Sequence, residues 1–159
     1  MTTLSLLPGP LKRLFSRFDA GGTSEHSLEM ALDHWRIKRG NRLYPSVADI
    51  DVVQLGTFAP HVFVFERSGK ADWRLRFAGE AAKPMLRPQS GEATLSTLAN
   101  RRIAARLRLL FGWAEETGEA VSASFISSDQ SGEILVAPLS TDGNKVGAIF
   151  GSIVSRQTG

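Results

Sequence analysis

The sequence predicts an α+β domain built on a five-stranded antiparallel sheet in the order 2-1-5-4-3, with a helical crossover on one face and N-terminal helices. Among the 159 residues, two strand-like runs alternate between apolar and polar side chains, and three are apolar at nearly every position. Short, turn-rich connectors join neighbouring strands, and a long helical stretch separates the second from the third. Because strands with one polar face belong at sheet edges, the three apolar strands are expected in the centre.

The N-terminal residues 1–22 are predicted to be an amphipathic arm, followed by the domain at residues 23–159. Apolar residues of the arm recur at helical spacing, and basic residues occupy the other side until two glycines end the segment. The apolar residues that we expect to make the arm's contacts are Leu11, Leu14, Phe15 and Phe18. Because so short a helix is marginal alone in water, this arm is expected to dock on something.

Three helices are expected inside the domain. The first runs from about Glu25 to Arg39, and a short one covers Glu80–Leu86. The third begins near residues 95–100 and continues to Glu116, just before Gly118. Its predicted buried side consists of Ile103, Leu107, Leu110 and Phe111.

The five strands alternate with turns that contain glycine, serine, asparagine or aspartate. They are predicted at His61–Glu66, Trp73–Phe77, Val121–Ile126, Glu133–Ser140 and Val146–Ser155. In the second strand, strict alternation places Trp73, Leu75 and Phe77 on one face and the two arginines on the other.

Composition excludes several classes of site. The chain has no cysteine, which excludes a disulfide framework, a thiolate metal site and a flavin–cysteinyl adduct. It has no apolar run of about 20 residues, and the N-terminal leucines precede the basic residues, the reverse of a signal peptide. A net charge of only +3 is weak support for a nucleic-acid partner. We therefore expect a cytoplasmic protein that does not bind nucleic acid.

Three segments resemble a family of short bacterial PAS proteins, once catalogued as a domain of unknown function. They are Asp33–Arg36, Tyr44–Asp51 with its D-I-D sequence, and Pro60–Glu66, followed by a strand that ends at Gly79. The resemblance implies a PAS-like fold and a sensory module. One segment departs from the family pattern: Leu86–Gly91 stands where family members commonly carry G-R-x-L-T-G.

The resemblance also implies a ligand position between the crossover helices and the sheet. The residues predicted to line it are Leu75, Phe77, Met85, Ile103, Leu107, Phe125 and Leu135. A filled hydrophobic core would contain the same residue types, so both interpretations stay open. Haem is not expected, because no histidine occurs between residues 80 and 118, where an axial ligand would have to lie. No metal site is expected either, since the three histidines have no close ligand spacing.

The third helix is rich in arginine. Arg102 and Arg106 are four residues apart, so they share a face and could contact an anion. Glu115, Glu116 and Glu119 are expected to neutralise part of this charge, and a solvated helix face is the favoured interpretation.

These observations predict a non-enzymatic PAS-type regulatory module that acts through protein–protein contacts. A homodimer with the arm in its interface is favoured over an arm that lies on an anionic membrane surface. A protein partner and a small modulating ligand are expected, and no cofactor is. The alternative is a small-molecule enzyme or carrier on an α+β cone fold, which would need a cleft with an acid–base pair. The sequence shows no nucleophile elbow and no phosphate-binding glycine loop.

Overall fold

The structure is a computed structural model that describes residues 26–126 and 129–157. Its α-helices and strands are α1 (His26–Arg39), α2 (Val52–Leu55), β1 (Val62–Arg67), β2 (Trp73–Ala78), α3 (Arg101–Thr117), β3 (Val121–Ile126), β4 (Gln130–Ser140) and β5 (Val146–Gln157). Short 3₁₀ helices lie at Val47–Asp49, Gly56–His61 and Lys83–Leu86. Within the described residues, no helix is long and apolar enough to cross a membrane.

The five strands form one antiparallel sheet in the order β2-β1-β5-β4-β3. The predicted strand order is therefore confirmed, with the two alternating strands at the edges. The long β4–β5 hairpin forms the centre, and its turn passes through Gly143, whose φ of +90° is a conformation that glycine adopts without strain.

The helix α3 covers one face of the sheet, which we call the inner face. It begins at Asn100, whose side-chain oxygen accepts a hydrogen bond from the Ile103 backbone N–H at 3.1 Å. It ends at Gly118, which takes the left-handed conformation typical of a helix C-terminus. The predicted buried residues of this helix are all buried, and the Phe111 ring contacts the rings of Phe65 and Trp73 in edge-to-face geometry.

The helix α1 covers part of the opposite face, which we call the outer face. Leu28, Ala31 and Trp35 are buried on the side of α1 that packs on β4 and β5. The Trp35 indole N–H donates to the Pro138 carbonyl oxygen at 2.9 Å, which fixes the helix against β4. The predicted N-terminal helix of the domain therefore packs on the face of the sheet opposite α3.

A β-bulge in β2 changes which face one predicted residue occupies. Phe65 pairs with Leu75 and Val64 pairs with Phe77, so Arg76 is the extra residue of β2. The prediction that Phe77 shares a face with Trp73 and Leu75 is therefore wrong. Its ring lies beside Val64 on the outer face and is 37% exposed.

The edge of β2 that does not pair with β1 is covered along its first half by the segment around residues 93–95. The Leu75 backbone N–H donates to Ala93 at 2.8 Å, and the Leu95 N–H donates to Trp73 at 3.0 Å. After β2 the chain turns at Gly79, where a Cβ atom would lie 2.4 Å from the Ala59 carbonyl oxygen. Only glycine permits this close approach to the backbone before β1.

Candidate functional site

The outer face carries an open groove at its β1–β2 end, where α1 does not cover the sheet. The groove has a volume of about 570 Å³. We call it the outer-face groove, and its lining comprises Ser46, Val47, Ala48, Ile50, Val52, Val64, Glu66, Arg76, Phe77, Ser140 and Thr141. Most of its side chains are apolar, which makes it a surface suited to an apolar side chain of another segment.

The segment before α2 forms one wall of the outer-face groove, and hydrogen bonds hold it in place. Ser140 donates its backbone N–H to the Pro45 carbonyl at 2.9 Å, which joins the wall to β4. The Ser46 backbone N–H donates to the Asp49 carboxylate at 2.8 Å, and Arg42 pairs with the same carboxylate at 2.7 Å. These two contacts, the backbone bond first, hold the pKa of Asp49 below its usual value.

His34 joins this wall to α1. It is buried, its ring packs on Phe150, and its Nε2 accepts a hydrogen bond from the Asp51 backbone N–H at 3.2 Å. Burial, and then the nearby Lys38 ammonium, lower the pKa of His34. The acceptor nitrogen must be unprotonated for this bond, so the neutral ring is the form that the fold uses.

The charges at the floor of the outer-face groove are paired with each other. The Glu66 carboxylate contacts Arg74 and, at 2.9 Å, Arg76. The bond from Arg74, followed by the one from Arg76, lowers the pKa of Glu66. Arg74 and Arg76 are two residues apart in β2, the spacing at which side chains share a face of a strand, and both contact this carboxylate.

A second opening lies at the other edge of the sheet, between the start of α3 and the end of β3. It has a volume of about 320 Å³. We call it the arginine cleft, and its lining comprises Asn100, Arg102, Ile103, Arg106, Phe125, Ile126, Asp129 and Gln130. The structure therefore brings together the two arginines that the sequence singled out.

The arginines of α3 correct the expectation of a solvated face in part. Arg106 is half-buried and donates to the Ser124 carbonyl oxygen at 2.9 Å, and its burial lowers the pKa of its guanidinium. Arg101 and Arg108 are exposed, yet each donates to backbone carbonyls. The expected neutralisation is wrong for two of the glutamates, because Glu115 pairs with Arg67 and Glu119 with Arg39.

The seven residues predicted to line a ligand cavity divide between the two faces. Five of them belong to the inner-face core: Leu75, Met85, Ile103, Leu107 and Phe125. Leu135 packs in the outer-face core, and Phe77 lines the outer-face groove, so neither lies between α3 and the sheet. The predicted set is corrected in these two residues, and a ligand contact by the other five stays a prediction.

The arm residues Leu11, Leu14, Phe15 and Phe18 lie outside the described residues. Most of the lining of both openings has no clear signal in the sequence; the exceptions are Phe77, the two arginines and the residues shared with the inner-face core. For the outer-face groove, the available signal was the apolar Val47, Ile50 and Val52 beside the D-I-D sequence. The position of Phe77 follows from the bulge, which has no sequence signal in β2.

Comparison with known proteins identifies the family. The model of the PAS domain family matches residues 23–154. This match covers most of the chain, and the protein therefore belongs to the PAS domain family. PAS domains are in general sensory and regulatory modules without catalytic activity. No curated protein and no solved structure matches the chain.

Proposed function

We propose that this PAS domain is a non-enzymatic, cytoplasmic regulatory module that forms a homodimer and acts by changing its protein–protein contacts. In the dimer, the outer-face groove of one copy receives the apolar side of the arm, residues 1–22, of the other copy. The observation that carries the proposal is the outer-face groove itself, an apolar opening that α1 leaves on an otherwise covered sheet.

The chemistry of the outer-face groove favours an apolar occupant. Val47, Ile50, Val52, Val64 and Phe77 supply apolar surface, while Glu66 is already paired with two arginines. A ligand that offered only charge would find few unpaired partners on this surface. An aliphatic or aromatic side chain would gain about 1.5–3 kcal/mol on full burial there.

The arm is the part of the chain that fits this requirement. It precedes the match to the PAS family, which begins at residue 23. The described chain starts at His26 on the outer face, where the His26 ring contacts Phe58 at a centroid distance of 5.1 Å. The seven residues between Phe18 and His26 can span more than 20 Å when extended, so the arm is tethered within reach of outer-face surfaces.

A second copy is favoured over the chain's own arm because a two-fold dimer makes each contact twice. A chain's own arm would dock without loss of translational freedom, so a dimer has to bury further surface besides the arms and grooves. A dimer also offers the exposed Ile37 and Val53, on α1 and α2, a surface to pack on. A small ligand or a protein partner that favours one arrangement would shift the population of dimer contacts.

The test compares the sedimentation of variants on the two sides of the proposed contact. The wild-type chain is expected to sediment as a dimer, and Leu14→Glu/Phe15→Glu and Phe77→Glu are each expected to give monomer. Ile126→Glu is the matched control, since Ile126 is 77% exposed at the opposite edge of the sheet. Circular dichroism confirms that each variant is folded.

The outcomes separate the alternatives. A dimer lost only in the arm variant indicates that the arms pair with each other and removes the groove from the interface. A dimer that survives both variants contradicts the proposal. Co-flotation of the wild type with anionic vesicles, lost in the arm variant, would instead support a membrane contact.

A further inference from the structure

We propose that the arginine cleft binds the phosphate group of a small phosphorylated polyol, held between the guanidinium groups of Arg102 and Arg106. This inference would supply the ligand of the proposed regulatory module, but the site lies at the edge of the sheet opposite the outer-face groove and does not depend on the dimer contact.

Arg102 and Arg106 face one cleft, which also contains the Asp129 side chain. They are separated by four residues on α3, which places their Cβ atoms about 5–6 Å apart on the same side of the helix. Among the described residues, neither forms an ion pair, whereas Arg39, Arg42, Arg67, Arg74 and Arg76 each contact an Asp or Glu carboxylate. The two guanidinium groups of the cleft therefore face a single carboxylate, that of Asp129, and the lining keeps a net positive charge.

The position of these charges raises the positive potential further. Arg102 lies in the first turn of α3, which contains no acidic residue, and the N-terminal end of a helix already carries a partial positive charge. Arg106 is half-buried, and a partly desolvated cation is stabilised by an anion more strongly than an exposed one. A dianion such as a phosphate monoester would satisfy both guanidinium groups through charge-assisted hydrogen bonds.

The remaining lining argues for an organic group with hydroxyls beside the phosphate. Asp129 and Gln130 also line the cleft; each already has a partner in the protein, but a carboxylate or amide oxygen can accept more than one hydrogen bond. Ile103 and Phe125 supply apolar surface. A carboxylate repels a second anion but accepts hydrogen bonds from hydroxyl groups. The volume of about 320 Å³ is at the small end of ligand pockets, which limits the occupant to a compact molecule.

The experiment is a calorimetric titration of the full chain with sn-glycerol 3-phosphate at constant ionic strength. Three compounds are titrated separately as controls. Inorganic phosphate tests the phosphate without the polyol, glycerol tests the hydroxyls without the phosphate, and succinate tests a dianion that has no phosphate group. We expect sn-glycerol 3-phosphate to bind more tightly than the other three. Arg102→Ala is expected to weaken its binding about tenfold or more, because it removes hydrogen bonds to a charged group.

Two further variants keep the test specific. Arg106→Lys retains the charge but loses the bidentate fork, and we expect it to weaken binding several-fold while circular dichroism stays unchanged. Arg36→Ala is the matched control, since it removes one arginine charge from the exposed surface of α1. This variant should bind sn-glycerol 3-phosphate with the affinity of the wild type.

Four results would overturn the proposal: no heat of binding from the wild type with millimolar glycerol phosphate, equal binding of inorganic phosphate, tighter binding of succinate, or the same loss in Arg36→Ala as in Arg102→Ala. Because sedimentation measures the dimer separately, failure here leaves the proposed function standing, and failure of the dimer leaves this site standing.

Discussion

The two faces of the sheet differ in how completely they are covered. On the inner face, α3 and the segment between β2 and α3 enclose a core that includes the rings of Phe63, Phe65, Trp73 and Phe111. On the outer face, α1 packs on β4 and β5 and leaves the β1–β2 end open as the outer-face groove. The inner face thus has the packing that stabilises the domain, and the outer face has the surface that can exchange partners.

This difference has an energetic consequence. A fully buried side chain stabilises the fold by its transfer out of water, and its removal also leaves a cavity. A side chain at the border of a groove contributes only part of the transfer free energy. Substitutions of the same type on the two faces should therefore separate folding stability from association.

The largest effect is expected for Phe111→Ala on the inner face. Phe111 is fully buried and contacts Phe65 and Trp73 at ring-centroid distances of 5.3 and 5.4 Å. Removing its ring should lower the free energy of unfolding by about 3–5 kcal/mol. Urea unfolding followed by circular dichroism measures this change. A loss below about 1 kcal/mol would show that the inner face is not the main stabilising core.

The same contrast explains what the sequence could predict. The order of the strands followed from which of them alternate between apolar and polar residues. The buried side of α3 followed from Ile103, Leu107 and Phe111, which recur at helical spacing and form one apolar face. The wall beside the outer-face groove was not predicted. His34 and Trp35 belong to a segment that carries the family resemblance, but their bonds to Asp51 and Pro138 need the folded chain.

Phe77 shows where periodicity fails. Alternation places it with Trp73 and Leu75, but the bulge at Arg76 moves every later residue of β2 to the other face. The bulge depends on the pairing of β2 with β1, and no residue pattern within β2 specifies it. The arginines of α3 show a related limit: their spacing is readable, but their carbonyl partners lie on β3 and in the β1–β2 turn.

A smaller effect on stability is expected for Phe77→Ala on the outer face. Phe77 is partly exposed, so truncation should cost about 1–2 kcal/mol of unfolding free energy, which is less than the loss in Phe111→Ala. Under the proposed function, the same variant should raise the dimer dissociation constant more than Phe111→Ala does, as long as both are folded. Sedimentation at several protein concentrations measures this, and a reversed order would contradict the division of roles between the faces.

The buried, neutral His34 on the outer face should make the free energy of unfolding depend on pH. Its pKa in the folded chain lies below the ordinary value of 6.5, so the unfolded chain takes up the proton first as the pH falls. The stability that the neutral ring contributes is complete above about pH 6.5 and is lost as the pH falls from there towards the folded pKa. Lys38 on α1 opposes protonation, and Asp51 on the facing segment favours it.

The measurement is the free energy of unfolding at pH 7.5 and pH 5.5. His34→Gln keeps an acceptor for the Asp51 N–H and should show a smaller loss between these values than the wild type. His26→Gln is the control, because His26 is exposed at the start of α1, and it should retain the wild-type difference. Identical pH dependence in His34→Gln and wild type would assign the effect to other groups.

The smallest effect is expected for Glu66→Gln, which removes the charge that Arg74 and Arg76 share. Both arginine side chains are more than two-fifths exposed, so solvent screens the two ion pairs, and their joint loss should cost only about 1 kcal/mol. The lowered pKa of Glu66 means that its contribution is present above the unfolded value near 4.5 and is lost as the pH falls through the folded pKa. At neutral pH, 1 M salt reduces the Debye length to about 3 Å, so the difference in unfolding free energy between wild type and Glu66→Gln should shrink. A difference that persisted in 1 M salt would mean that the charges beneath the outer-face groove are shielded from solvent, and the outer face would then be more closed than its partly exposed arginines indicate.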